Sequence, residues 1–290
     1  MTDAYIRRIQ DVYPELSIDE VEPNDIGQNN DVLIVNQSIV FRFPKHVQGV
    51  EKLKRETQLL KFIRPSVTLP VPDPMYHAFT EMEVGRAFMG YPLIEGSPFW
   101  KEAYVQMKEQ DNEDAIALQL VTFLNELHSM DMPPTAGVIK PGKDVIQMMK
   151  ELLLNIQNKL FPYMRVEAQR QVTDNFSRFL HDPSNQSLKM TLIHGDFGAG
   201  NIIWHAEKSR IAGIIDFGGS GFGDPAYDFA GILSSYGQDF FEKCIGLYPG
   251  GRQIAERVHF YRSTFALQEA LHGMVHHDEE AFENGIREFR

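Results

Sequence analysis

Near residue 95 the chain changes character, and that change limits what it can fold into. Before it, short runs rich in β-branched and aromatic residues dominate, over 17–26, 32–35, 39–43, 75–79 and 86–94. One helical segment interrupts them, about 47–63, where Val50, Leu53, Leu59, Leu60 and Ile63 recur near helical spacing. After it helices prevail, with the patterns predicting 113–129, 143–160, 166–180, 225–247, 251–272 and 278–290. The exception is 191–215, where Leu192-Ile193, Ile202-Ile203-Trp204 and 211–215 flank turn residues, as short strands do. The four prolines of 65–74 read as a rigid connector.

Composition sets the outer bounds. At 290 residues and 43% hydrophobic, the chain can bury a core suited to one large domain or two lobes. No apolar run approaches the roughly eighteen residues that span a bilayer. The start, Met1-Thr2-Asp3-Ala4-Tyr5, has neither a basic stretch nor an apolar one, so a cytoplasmic protein with no membrane partner is expected. The single cysteine, Cys244, rules out an intrachain disulfide or a cysteine-based zinc site and reads as a small buried residue on a helix. A net charge of −12, from 28 basic and 40 acidic residues, argues against nucleic acid as a partner and suits a cationic small molecule.

The chemistry concentrates in His194-Gly195-Asp196-Phe197-Gly198-Ala199-Gly200-Asn201 and, one hairpin later, Ile214-Ile215-Asp216-Phe217-Gly218. A phosphoryl group in flight carries charge that must be neutralised and needs an acceptor oxygen that must be aimed. Asp196, on a loop between two short strands, is placed to orient or accept the proton of an acceptor hydroxyl. Asn201 offers a neutral amide oxygen, and Asp216 a carboxylate at the end of an apolar strand. Both are hard oxygen donors of the kind that Mg²⁺ prefers. Alone, His-x-Asp-x-x-x-x-Asn or Asp-Phe-Gly is a weak match, and Asp-Phe-Gly can simply end a strand in a turn. Together, in this order and each behind an apolar strand, they point to a kinase.

With these motifs the chain resembles the aminoglycoside phosphotransferases and related small-molecule kinases, and in look the aminoglycoside 2''-phosphotransferase type most of all. That family has Gly after the catalytic His, as in His194-Gly195-Asp196, where protein kinases usually have Arg. A further family-like piece is Gly223-Asp224-Pro225-Ala226-Tyr227-Asp228. Pro225 suits the first position of a helix and Asp224 its N-cap, while the resemblance implies that Asp228 braces the catalytic loop from below. It also implies an α+β, protein-kinase-like two-lobed fold. A small antiparallel-sheet lobe with one helix would span 1–91, a hinge 92–96, and a larger, mainly helical lobe 97–290. The implied activity is Mg-dependent transfer of the γ-phosphoryl group of ATP or GTP to a hydroxyl of a small molecule, by a monomer.

In the first lobe, protein kinases place a lysine on the third strand, paired with a helix glutamate, to hold phosphates. Here Val40-Phe41-Arg42-Phe43-Pro44-Lys45 offers Arg42 at that place, with Glu56 as its ion-pair partner. An arginine can fork onto phosphate oxygens, whereas Lys45, after Pro44, reads as a surface lysine. A glycine-rich phosphate loop is absent. Gly27-Gln28-Asn29-Asn30-Asp31 occupies the turn between the first two strands. Gln28 and Asn30 could cap phosphates there, and a plain hairpin turn would look the same. The resemblance sets the backbones of Pro92 and Ile94 against the nucleotide base.

Other clusters carry less. His272, His276 and His277 lack the His-Glu-x-x-His arrangement, and Gly273 interrupts the helix pattern. The glycines of 218–223 follow Asp216 rather than opening a dinucleotide fold. Aminoglycoside-modifying relatives use carboxylates after the Asp-Pro-x-x-Asp motif to bind a polycationic sugar, but Gly231-Ile232-Leu233-Ser234-Ser235-Tyr236 has no acid. Compensating acids lie nearby in Asp239, Glu242, Glu269 and 278–280, each also readable as a solvated helix face. An aminoglycoside ranks first as acceptor and a macrolide or metabolite alcohol second. A non-catalytic nucleotide-binding pseudokinase is the reading from another class.

Overall fold

The computed structural model describes residues 1–24, 29–109, 112–131 and 144–290. The chain packs as two compact units, Met1–Lys140 with Ala199–Ser220, and Pro141–Gly198 with Gly221–Arg290.

The first unit begins with helix α1 (Thr2–Val12), then β1 (Val21–Asn24), β2 (Asn30–Val35), β3 (Ile39–Pro44), helix α2 (Val47–Ile63), β4 (Tyr76–Ala78) and β5 (Phe88–Pro92). Its five strands form one antiparallel sheet in the order β1-β2-β3-β5-β4. Central β3 is covered on both faces, which is why Val40-Phe41-Arg42-Phe43 is buried throughout instead of alternating. Register sets Arg42 between Val32 of β2 and Met89 of β5. One face of the sheet buries Leu33, Val35, Phe41, Phe43 and Phe88 against Tyr5 and Ile9 of α1. Tyr5 stacks on Phe43 with ring centroids 4.1 Å apart, and its hydroxyl donates to Asp31 Oδ2 at 2.7 Å. α1 is thus a second helix on a sheet where the sequence pattern anticipates one, its stripe of Tyr5, Ile9 and Val12 having helical spacing.

After β5 come β6 (Ser97–Pro98), α3 (Lys101–Glu109) and α4 (Glu113–His128). α3 is likewise unanticipated, a nine-residue helix that buries Tyr104 and Met107. The second unit follows with α5 (Val145–Lys159), α6 (Val166–His181) and β7 (Thr191–Ile193). The chain then returns to the first unit for β8 (Ile202–His205) and β9 (Arg210–Ile214), which form a three-stranded sheet in the order β6-β8-β9. β10 (Gly221–Gly223) reenters the second unit and pairs with β7. Helices α7 (Ala226–Tyr236), α8 (Gln238–Leu247), α9 (Gly251–His276) and α10 (Glu279–Ile286) complete it.

Two helix expectations are corrected. The helix anticipated over 225–247 is two helices, because Gly237 adopts φ 85° and ψ −177° between α7 and α8. α9 instead runs through Gly273 to His276, since an internal glycine costs a helix only about 1 kcal/mol and the backbone of Phe282 in α10 packs against this turn. Cys244 is buried on α8, as expected of a small apolar side chain.

Candidate active site

In the first unit, burial and charge converge on Arg42. Its Nη1 donates to Glu56 Oε1 at 2.5 Å and its Nη2 to Asp216 Oδ1 at 3.1 Å. β3 supplies the arginine, α2 the glutamate, buried beside Thr57 on a mainly apolar face, and the segment after β9 the aspartate. Arg42 and Glu56 side chains are 8% and 2% exposed, whereas Asp216 is 47% exposed. Burial works against the Arg42 charge, but Glu56 and Asp216 more than offset it and raise its pKa further. Burial likewise pushes the Glu56 carboxyl up, against the pull of Arg42. Glu56 Oε1 also accepts the Phe217 N–H at 3.2 Å. Two donors on one oxygen fit an ionised carboxylate, so the pair is held as an ion pair.

Asp216 adopts φ 60° and ψ 74°, a left-handed conformation that a short polar side chain tolerates, and its Oδ1 accepts from Gly218 N–H at 3.4 Å. Asn201 ends the turn before β8, and its carbonyl accepts the Ile215 N–H at 2.9 Å. That bond brings Asn201 beside the residue preceding Asp216. A hard amide oxygen and an exposed carboxylate on neighbouring strand ends are a donor set that fits Mg²⁺.

The other expected nucleotide residues are placed differently. Asn30 opens β2 opposite Pro44, whereas Gln28 lies outside the described residues. Lys45 is half-buried, with Nζ 3.8 Å from Asp31 Oδ1. Pro92 ends β5 and has no N–H, and Leu93 donates its own to Ser38 O at 2.7 Å. Pro92 and Ile94 line a cleft of about 780 Å³ whose other walls include Pro70 and Arg210, but not Arg42, Glu56 or Asp216. Tyr91, one residue earlier, lies nearer the charged cluster. Burial pushes its hydroxyl up to about 12, with Arg42 opposing and Glu56 and Asp216 adding to the shift. Nothing in the local sequence marks Tyr91 apart from its place beside the expected hinge.

In the second unit, the loop after β7 is clamped through its backbone. The fully buried Asp228 on α7 accepts the His194 N–H at Oδ2 and the Gly195 N–H at Oδ1, both at 2.8 Å. The Asp196 N–H in turn donates to His194 Nδ1 at 3.3 Å. α7 approaches this loop so closely that a Cβ on Gly231 would fall 2.2 Å from Phe197 O, so only glycine fits there. Pro225 takes the cap position of α7 rather than its first helical one, and Asp224, one residue earlier, accepts the Ala226 N–H at 3.1 Å. It is also forked by Arg257 of α9, with Nε to Oδ2 2.6 Å and Nη2 to Oδ1 3.0 Å, a buried anchor that local pattern does not signal.

Beside this loop is a pocket of about 260 Å³ lined by Asp196, Tyr227, Ser234, Ser235, Phe265 and Gln268, together with Gly195, Phe197, Gly198 and Gly231. Burial raises the Tyr227 pKa, and the carboxylates of Asp196 and Asp228 add to it, so the phenol keeps its proton. Local sequence does not mark Tyr227, Phe265 and Gln268 as neighbours, since α7 and α9 bring them together only in the fold. The rings of His272 and His276 lie 4.3 Å apart, and no group of three or more His, Cys, Asp or Glu side chains able to hold a metal occurs among the described residues. No helix among them is long and apolar enough to cross a membrane.

Residues 20–267 match the APH phosphotransferase enzyme family. The viomycin phosphotransferase of Streptomyces vinaceus is 29% identical over 270 residues, covering 91% of each chain. The GDP and kanamycin complex of the phosphotransferase APH(2'')-IIIa superposes with a TM-score of 0.87 at 26% identity, over 98% of this chain and 96% of that one. A GDP complex of wild-type aminoglycoside phosphotransferase IIIa gives a TM-score of 0.86 at 25% identity, over 98% and 95%.

Proposed function

This chain belongs to the APH phosphotransferase enzyme family and has its protein-kinase-like α+β fold, and from that membership we propose that it transfers the γ-phosphoryl group of ATP or GTP to a hydroxyl of a small molecule. The acceptor oxygen bonds to the γ-phosphorus as the bond to the bridging oxygen breaks, and the nucleoside diphosphate leaves. Asp196 orients the hydroxyl and takes its proton. Asp228 fixes the height of that loop by holding the amides of His194 and Gly195. Arg42, aimed by Glu56, engages phosphate oxygens of the nucleotide. Asn201 and Asp216 would hold Mg²⁺, which would neutralise the charge of the phosphates. Gln28 and Asn30 extend the phosphate contacts, and the backbone at Pro92 and Ile94 faces the base. The cytoplasm is the compartment that supplies the nucleotide.

The observation that carries this reading is the buried Arg42 shared by Glu56 and Asp216. An interior guanidinium with one exposed carboxylate partner is costly to keep for stability alone and suited to meeting a phosphate. For the acceptor, the kanamycin bound by one neighbour and the viomycin in one relative's name offer an aminoglycoside or another basic antibiotic. A macrolide or metabolite alcohol is the second reading, favoured by the scarcity of acid in 231–236. Asp196→Ala should lower transfer by about 10²–10⁴-fold while calorimetry shows the nucleotide still bound. Transfer by that variant at the parent rate would overturn the mechanism.

A further inference from the structure

The pocket beside Asp196 has a chemistry of its own, and it bears on which hydroxyl is phosphorylated. Asp196 is the one carboxylate that lines it among the described residues. The rest of its polar wall is neutral, made of the hydroxyls of Ser234, Ser235 and Tyr227 and the amide of Gln268. The Gln268 amide is oriented within the wall, its Nε2 donating to Thr264 Oγ1 at 2.9 Å and its Oε1 lying 3.4 Å from the Tyr227 hydroxyl.

The acids that could supply charge for a cation do not line the pocket. Glu242 is exposed and takes the Gln238 side-chain amide at 2.8 Å along its own helix. Asp278 caps α10 through the Ala281 N–H at 3.0 Å. Asp239, Glu269, Glu279 and Glu280 are all exposed. The segment 132–143, outside the described residues, contains no Asp or Glu in its sequence. An ammonium group entering this pocket would meet, among the described residues, no lining carboxylate beyond the one required for proton transfer. The net charge of −12 attracts cations to the protein as a whole, but such long-range attraction is screened by salt.

Shape points the same way. The half-buried rings of Tyr227 and Phe265 meet edge to face, with centroids 5.4 Å apart, and give the pocket an aromatic lining. At about 260 Å³ the pocket lies just below the roughly 300–1,000 Å³ of most ligand sites, which leaves room for one ring. We propose that the acceptor is an uncharged ring alcohol, recognised by aromatic contact with Tyr227 and Phe265 and by hydrogen bonds to Ser234, Ser235 and Gln268, and that polycationic aminoglycosides are poor acceptors. This rests on the phosphotransferase reading above and takes the second of its two acceptor classes over the first, on the lining of the pocket.

The test measures kcat/KM for phosphate transfer to ring alcohols offered in matched pairs, such as a methyl hexopyranoside and its amino-substituted counterpart, with kanamycin alongside. Hydrolysis of the nucleotide by water is followed in the same reactions, for the parent and for Asp196→Ala. The neutral member of each pair should be preferred at least tenfold, with kanamycin poorer than either. Gln268→Glu, which adds the missing carboxylate, should reverse the order within the pairs. Preference for the amino members or for kanamycin overturns the proposal. So does absence of transfer to every acceptor while Asp196-dependent hydrolysis persists, and in that case the phosphotransferase reading stands. Loss of both transfer and hydrolysis in the parent overturns that reading as well.

Discussion

In the first unit the candidate residues are fixed by side-chain charge, with Arg42 shared between Glu56 and Asp216, whereas in the second the loop bearing Asp196 is fixed through its backbone by one carboxylate that takes two amide protons. The two devices fail differently. A buried ion pair has already lost its hydration, so removing one partner strands the other in a poor dielectric. A backbone clamp sets position without supplying a countercharge, so weakening it moves the loop rather than altering the charge of the side chain that the loop carries. Charge suits a group that must meet phosphate, and a clamp on backbone amides suits a loop whose carboxylate must be aimed.

The largest expected effect breaks the first device. Glu56→Ala should cost about 3–5 kcal/mol in urea unfolding, because Arg42 would stay buried with Asp216 as its remaining carboxylate partner in the cluster. Calorimetry on the folded variant should show weakened nucleotide binding, since Arg42 loses the partner that aims it. Nucleotide affinity equal to that of the parent would mean that Arg42 serves packing alone.

How much of this was legible depends on the range of the signal. α2 and β3 were readable because their burial follows local period, Val50 to Ile63 at helical spacing and 39–43 as a continuous apolar run. In α1 the helical spacing of Tyr5, Ile9 and Val12 is a narrow stripe among mostly polar residues, a weaker local signal than that of α2. The break at Gly237 was masked by apolar periodicity that continues on both sides of it. Arg42 and Glu56 are legible only through their order along the chain in a resembling family, and the structure brings them together with Asp216, 174 residues from Arg42. Arg257 on Asp224, Tyr91 near the charged cluster and Gln268 beside Asp196 had no such guide. Each is assembled by tertiary packing between elements whose separate sequences say only strand or helix.

The second device is sharpened by a smaller change. Asp228→Asn keeps the volume but turns one acceptor oxygen into an amide that faces a backbone N–H, so about 1.5–3 kcal/mol of stability should go with the lost charged hydrogen bond. Loop position should suffer with it, lowering kcat for transfer, while nucleotide affinity stays at the parent value. A fall in nucleotide affinity as large as that of Glu56→Ala would erase the distinction between the two units.

The smallest effect is a control on both. Gly237 is exposed, and an added Cβ there would meet no atom within 4 Å, so any cost of Gly237→Ala is conformational. Its φ of 85° and ψ of −177° lie in a region open almost only to glycine, and a side chain should cost about 1–2 kcal/mol. Thermal unfolding should shift down by that amount with nucleotide affinity unchanged. Because Ser234 and Ser235 occupy the last turn of α7, just before this residue, the acceptor KM is the one kinetic constant with reason to move. A change in KM without change in kcat would tie the end of α7 to acceptor binding, separate from the clamp that Asp228 makes about two helix turns nearer its start.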